Sequence, residues 1–186
     1  MDVVNNKITP YDFNILNNDY IAKEVYEAIK DIKSNGAPGS DDLSALFYHQ
    51  YWIIIGPNIL EYALNILKNE GITANISHTL ICLIPKINSH TLPYEFRPIS
   101  LCNVIMKIIT KTLANRVKLV LPNIINEYQS AFLPRILITD NSLIAFESFQ
   151  YTNKTRKKNN GFVGIKFDIA KAYDNLEWDF IEEKKH

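Results

Sequence analysis

The chain has 186 residues, 47% of them hydrophobic and 22% charged, and its 20 basic and 20 acidic side chains give a formal charge of zero. Such a composition can bury a core, which excludes wholesale disorder, and the length suits one ordinary domain or a piece of a larger one. No run approaches the apolar length of a membrane span, and the opening MDVVNNKITPYDFN is too polar for a signal peptide. Cys82 and Cys102 alone make neither a disulfide framework nor a metal-binding spacing. A soluble, reduced, intracellular protein, nuclear or cytoplasmic and without membrane association, is expected.

In chain order, a polar segment over 1–18 precedes Ile21, Val25, Ala28, Ile29 and Ile32 at helical spacing, with Asp19 as the cap and Asn35-Gly36 as the stop. The loop Ala37-Pro38-Gly39-Ser40-Asp41 leads into an aromatic-rich helix from Leu43 to Ile55, broken at Gly56-Pro57. A third helix then uses Ile59, Leu60, Ala63, Leu64 and Leu67. Leu80–Ile84, stopped by Pro85, reads as a buried strand, and Arg97–Leu101 as a strand or extended loop, because a residue before proline avoids the helix. Val104–Leu121 carries an amphipathic helix with Ile105, Ile108, Ile109, Leu113, Val117 and Val120 on one side, closed by Pro122.

Another helix includes Leu143–Phe149 and begins near Thr139-Asp140-Asn141. A cationic connection follows over Lys154–Gly161. Val163, Ile165 and Phe167 then alternate with their neighbours as in a strand that ends at Asp168, and Lys171–Ile181 reads as helical. Helices first, then mixed strands and helices, predict a helix-rich α+β fold. Cys82 and Cys102 read as small buried residues, and His49, His78, His90 and His186 are too scattered for a metal site.

Charge is unevenly spread. From Arg97 to Lys166 eleven basic residues face three acids, a surplus of eight. A basic middle is the electrostatic footprint of a phosphate-binding surface, although lysines on solvated helix faces give the same count. Asp168 is the sharpest single residue. A carboxylate at the end of a strand is where open sheets place functional groups and could ligate a metal ion; it could equally cap the next helix.

The segment Gly161-Phe-Val-Gly-Ile-Lys-Phe-Asp168-Ile-Ala-Lys171-Ala-Tyr173-Asp174 resembles the first catalytic-aspartate motif of reverse transcriptases of LINE-type (non-LTR) retrotransposons, especially plant ones. Phe96-Arg97-Pro98-Ile99-Ser100-Leu101-Cys102-Asn103-Val104, with Lys107 and Asn115-Arg116, resembles the first finger block of that family. Gln129-Ser130-Ala131-Phe132 with Ile138-Thr139-Asp140-Asn141 resembles the second. Upstream, Ala37–Asp41 with Phe47-Tyr48 and Trp52, then Leu83-Ile84-Pro85-Lys86, follow the same order.

The resemblance implies the fingers and incomplete palm of a right-hand polymerase. Residues 1–18 would be a polar N-terminal segment, 19–75 a helical N-terminal extension, 76–160 the fingers and 161–186 a truncated start of the palm. It implies an RNA-directed DNA polymerase acting on an RNA template, a DNA primer and a deoxynucleoside triphosphate. Asp168 would be the catalytic residue and ligand of Mg2+, Tyr173 the steric gate under the sugar, and Arg97 and Lys107 substrate-binding cations; Asn115 and Arg116 would pack and cap. Nothing in the sequence points to a protein partner.

Three departures stand out. Pro134-Arg135-Ile136 replaces a Pro-Gly-Arg, and Asp42 takes the last position of a Pro-Gly-Pro-Asp-Gly loop, predicting loss of a glycine-specific backbone conformation. The second catalytic motif of the family, aromatic-x-Asp-Asp, does not occur; the Asp-Asp pair that does, Asp41-Asp42, is misplaced. This polypeptide is therefore expected to be catalytically inactive alone, and a non-enzymatic nucleic-acid-binding remnant of the fingers is the alternative.

Overall fold

The computed structural model describes residues 8–68, 74, 76–125, 137–155, 165 and 177–179. The chain divides into two compact units, Met1–Pro134 and Arg135–His186.

In the first unit α1 (Pro10–Asn17) starts on a capping box that spans Thr9 and Asp12. The Thr9 Oγ1 accepts from the Asp12 N–H at 3.1 Å, and the Asp12 carboxylate accepts from the Thr9 N–H at 3.1 Å and hydroxyl at 2.7 Å. The segment expected only to be polar thus holds a helix. Asp12 has no exposed surface and also accepts from the Asn123 amide at 2.9 Å, which ties α1 to the far end of a later helix.

The second helix, α2 (Ala22–Lys30), buries Val25, Ala28 and Ile29. Its cap is not Asp19: Glu24 reaches back to accept the Ile21 N–H at 3.0 Å. A short α3 (Ala45–Gln50) stops at Tyr51, and α4 (Trp52–Leu67) then runs straight through Gly56-Pro57. The break therefore lies at Tyr51, several residues before the expected one. Gly56 has a packing reason: a Cβ there would lie 2.9 Å from Cε2 of Trp52, so the indole rests on bare backbone.

The sheet is an antiparallel ribbon of β1 (Thr79–Pro85) and β2 (Phe96–Cys102), with Ile84 opposite Arg97 and Leu83 opposite Pro98. The Lys86 N–H donates to Glu95 O at 2.7 Å, so even-numbered β1 residues make the hydrogen-bonded pairs. Leu83–Pro98 is then a non-bonded pair, which needs no donor from proline. A 3-10 turn at Pro93–Glu95 closes the hairpin, where the Glu95 carboxylate accepts the Thr91 and Leu92 N–H groups at 2.6 and 2.7 Å. Those two bonds hold its carboxyl below the usual range. The strand expected to be buried is exposed on both faces: Ile81 is 68% and Leu83 59% accessible, and Cys82 is exposed, Cys102 half-buried.

Helix α5 (Val104–Ile124) supplies the other half of the core, with Val104, Ile105, Ile108 and Ile109 packed against Val25 and Ile29 of α2, Tyr48 of α3 and Ala63 and Ile66 of α4. Pro122 lies inside this helix rather than closing it. The buried stripe also departs from the expected one, passing through Thr112 and Arg116 while Leu113 and Val117 stay exposed. Both polar side chains are satisfied internally. Thr112 donates to Ile108 O at 2.9 Å. The Arg116 Nε and Nη2 donate to the two Glu24 oxygens at 2.9 and 2.6 Å, Nη2 also to Asp19 O at 3.0 Å, and Nη1 to Asn18 O. The guanidinium lies 3.5 Å over the Tyr20 ring.

In the second unit α6 (Ile138–Thr155) opens with the Asp140 carboxylate accepting the Leu137 N–H at 3.1 Å. Lys154 belongs to this helix rather than to the connection after it. The expected strand ending at Asp168 and most of the helix after it lie outside the described residues.

Partial burial opposes ionisation of Glu24, but the bonds from Arg116 and Ile21, with the guanidinium charge, outweigh it and hold the carboxyl below its ordinary value of 4.5. A depressed carboxyl stabilises the fold above that value and loses its contribution as pH falls through the folded value. Glu24→Gln is expected to cost about 2–3 kcal/mol at pH 7, because it strands a buried guanidinium. Urea titration should show the midpoint fall at unchanged slope, and the difference from the parent should shrink as the buffer is taken below pH 4.5.

Candidate nucleic-acid interface

The expected site residues meet three different fates. Asp168 and Tyr173 lie outside the described residues. Arg97 is exposed on β2 and its side chain makes no hydrogen bond or ion pair among the described residues, so its guanidinium is available to a phosphate. Lys107 is not free in that sense: its ammonium donates to Ala37 O at 2.7 Å, a strut between α5 and the loop before α3.

That strut is one of three contacts that seat the loop on the start of α5. Ser40 Oγ donates to Asn103 Oδ1 at 3.2 Å. Gly39 lies so close that a Cβ would collide with the Asn103 Oδ1, N and Cα. Only a glycine permits that approach, because two of the obstructing atoms are backbone and cannot swing aside. The expectation for Asp42 is corrected: it keeps a left-handed backbone at φ 56° although it is not glycine. Asp41 Oδ1 accepts the Leu43 N–H at 3.1 Å, a turn that spans Asp42, and aspartate tolerates this region better than most residues. Since β2 ends at Cys102, the clamp on Asn103 grips the point where the Arg97-bearing strand enters the helical core.

The basic surplus is partly internal. Lys111 pairs with Asp31 at 3.4 Å and Arg116 with Glu24 at 2.6 Å, so acids from the N-terminal helices neutralise cations of the basic middle. Arg116 packs, as expected, and Asn115 donates to Asp31 at 3.2 Å, but both lie in the middle of α5 and neither caps it. Arg97 and Lys118 remain exposed. The ribbon presents Leu80, Ile84 and Ile99 on the face that carries Arg97, and Ile81 and Leu83 on the opposite face. Sequence reasoning missed Glu95, whose signal was the Leu92-Pro93-x-Glu95 spacing of a capping box.

Magnesium takes hard oxygen ligands, and among the described residues no three His, Cys, Asp or Glu side chains come together in a set that could hold a metal ion. The described residues thus do not build a metal centre; they build an apolar ribbon that carries one exposed arginine and leads into α5. Among them no helix is long and apolar enough to cross a membrane.

Comparison with known proteins gives this arrangement its class. The family described as reverse transcriptase (RNA-dependent DNA polymerase) matches residues 84–186, more than half of the chain, and the chain belongs to that family. It is also 25% identical over 158 residues to a protein of Xenopus laevis named "Transposon TX1 uncharacterized 149 kDa protein". The match covers 85% of this chain and 12% of that relative's length. Both findings, with the mix of helices and a small antiparallel sheet, agree with the expected reverse-transcriptase domain of a LINE-type retrotransposon.

Two substitutions test the clamp. Gly39→Ala is expected to destabilise the protein by about 1–3 kcal/mol, as overpacking does. Asp42→Gly should instead raise stability by up to about 1 kcal/mol, by removing left-handed strain. Thermal melts of the two variants beside the parent measure both signs.

Proposed function

We propose that the chain supplies the fingers and the beginning of the palm of an RNA-directed DNA polymerase of a non-LTR retrotransposon, plant-like in its motifs. The helical N-terminal extension of residues 19–75 precedes fingers over 76–160 and a palm start at 161–186. The template is RNA, the primer DNA and the substrate a deoxynucleoside triphosphate, in the nucleus or cytoplasm. The observation that carries this reading is the exposed Arg97, whose side chain has no partner among the described residues, on a ribbon anchored by the Asn103 clamp, inside the stretch that matches the family.

In this reading Arg97 binds phosphate of the template or the triphosphate, where a planar guanidinium can make paired hydrogen bonds. Lys107 acts through the loop it holds rather than by touching substrate directly. Asp168 ligates Mg2+, which when bound polarises the phosphates for transfer. Tyr173 screens the sugar by steric contact. A non-enzymatic nucleic-acid-binding protein that keeps the finger surface is the competing reading.

Binding of a labelled RNA template annealed to a DNA primer, followed by anisotropy across a salt series, tests the shared part. The affinity should fall steeply with salt, and Arg97→Ala should weaken it and lower the log–log slope by about one. An unchanged slope and affinity in Arg97→Ala would remove the ribbon from the interface. Primer extension with Mg2+ and deoxynucleotides separates the two readings: extension abolished by Asp168→Asn supports the polymerase, and binding without extension supports the binding protein.

A further inference from the structure

An aromatic-lined site lies in the helical part of the first unit, built by α2, α3 and the start of α4. Tyr26, Ile29, Lys30, Tyr48, His49 and Trp52 line a cavity of about 210 Å³. Its volume falls below the roughly 300–1,000 Å³ of pockets that take drug-sized molecules, so it suits a single ring system. The walls are held in place. The Trp52 indole rests on Gly56, and its ring centre is 5.5 Å from that of Tyr26 at a 33° tilt. The Lys30 ammonium lies 4.3 Å from the centre of the Tyr26 ring. His49 spans Ile29 O at 2.8 Å and Ser34 Oγ at 2.9 Å, which occupies both ring nitrogens. Because a carbonyl only accepts, Nε2 carries the proton and Nδ1 accepts from the serine, leaving the imidazole as a fixed wall.

Two groups mark the cavity as more than a packing gap. Tyr48 is 4% exposed, and its hydroxyl, which makes no hydrogen bond among the described residues, is not sealed from solvent. Burial, helped by the charge of Asp41, pushes that phenol up, so it stays a donor. Lys30 is exposed and forms no ion pair among the described residues.

We infer that this cleft receives one unpaired base of a single-stranded nucleic acid, seated against Trp52 and Tyr26, bonded to the Tyr48 hydroxyl and flanked by a phosphate at Lys30. The inference rests on the nucleic-acid reading of the chain and adds a contact remote in sequence from Arg97 and Asp168. The chemistry narrows the occupant. Aromatic faces take any base by stacking, and a cation beside them meets the backbone charge. An apolar peptide side chain would leave the Tyr48 hydroxyl desolvated and unpaired. No lining residue is acidic, so an ammonium ligand would meet the like charge of Lys30 with no carboxylate in the lining to offset it.

The chain has two tryptophans, and Trp178→Phe leaves Trp52 as the sole indole. Titration of that variant with a 12-nucleotide single-stranded RNA should give saturable quenching of Trp52 fluorescence. Lys30→Ala, at an exposed position, and Tyr48→Phe should each weaken the titration, and Tyr26→Ala should weaken it about fivefold or more. Circular dichroism of each variant should match the parent. RNA that binds by anisotropy without quenching Trp52 would overturn the cleft and leave the polymerase reading standing. Quenching by a leucine- or phenylalanine-containing peptide but not by RNA would also overturn it. Failure to bind RNA at all would remove the functional reading and the cleft together.

Discussion

A single buried guanidinium holds the helical core together. Arg116 lies on α5, and its donors reach the Glu24 carboxylate and the carbonyls of Asn18 and Asp19, with Tyr20 beneath it. Burying a cation costs several kcal/mol unless its hydrogen bonds are met, and here the geometry meets them from one short segment, residues 18–24. The entry to α2 is thereby locked to the middle of α5. The same Glu24 caps α2 through the Ile21 N–H, so one carboxylate serves both the local helix and the long-range tie.

The clamp at Gly39 and Asn103 applies a steric version of that constraint one end further along α5. Ser40, Gly39 and the Lys107 strut fix the loop against the first residues of the helix, directly after the ribbon ends. A two-stranded ribbon with apolar faces in water is marginal alone. The Glu95 clip at its turn and the clamp at its base therefore restrain the two ends of the element that carries Arg97.

Charge in this protein is best understood after folding. The acids of the N-terminal helices and the cations of α5 neutralise one another in pairs, and this leaves fewer cations to face a polyanion than the linear count suggests. The chain belongs to the reverse-transcriptase family, and under the function proposed above the exposed Arg97 makes the ribbon the place for such contact.

Much of the local structure could be read from the chain itself. The helical spacing of Val25, Ala28 and Ile29 and of Ile105, Ile108 and Ile109 identified the core faces, and Pro98 forced an extended segment that pairs as a strand. These signals act within a few residues, where periodicity and turn chemistry leave little choice. Only the folded chain decided that Arg116 and Thr112 rather than Leu113 and Val117 face inward, that Cys82 is exposed, and that Lys107 supports a loop. Arg116 finds Glu24 across 92 residues and Lys107 finds Ala37 across 70, and neither separation leaves a trace in local pattern. A polar side chain goes inside when a distant partner satisfies it, and that partner exists only once the helices have packed.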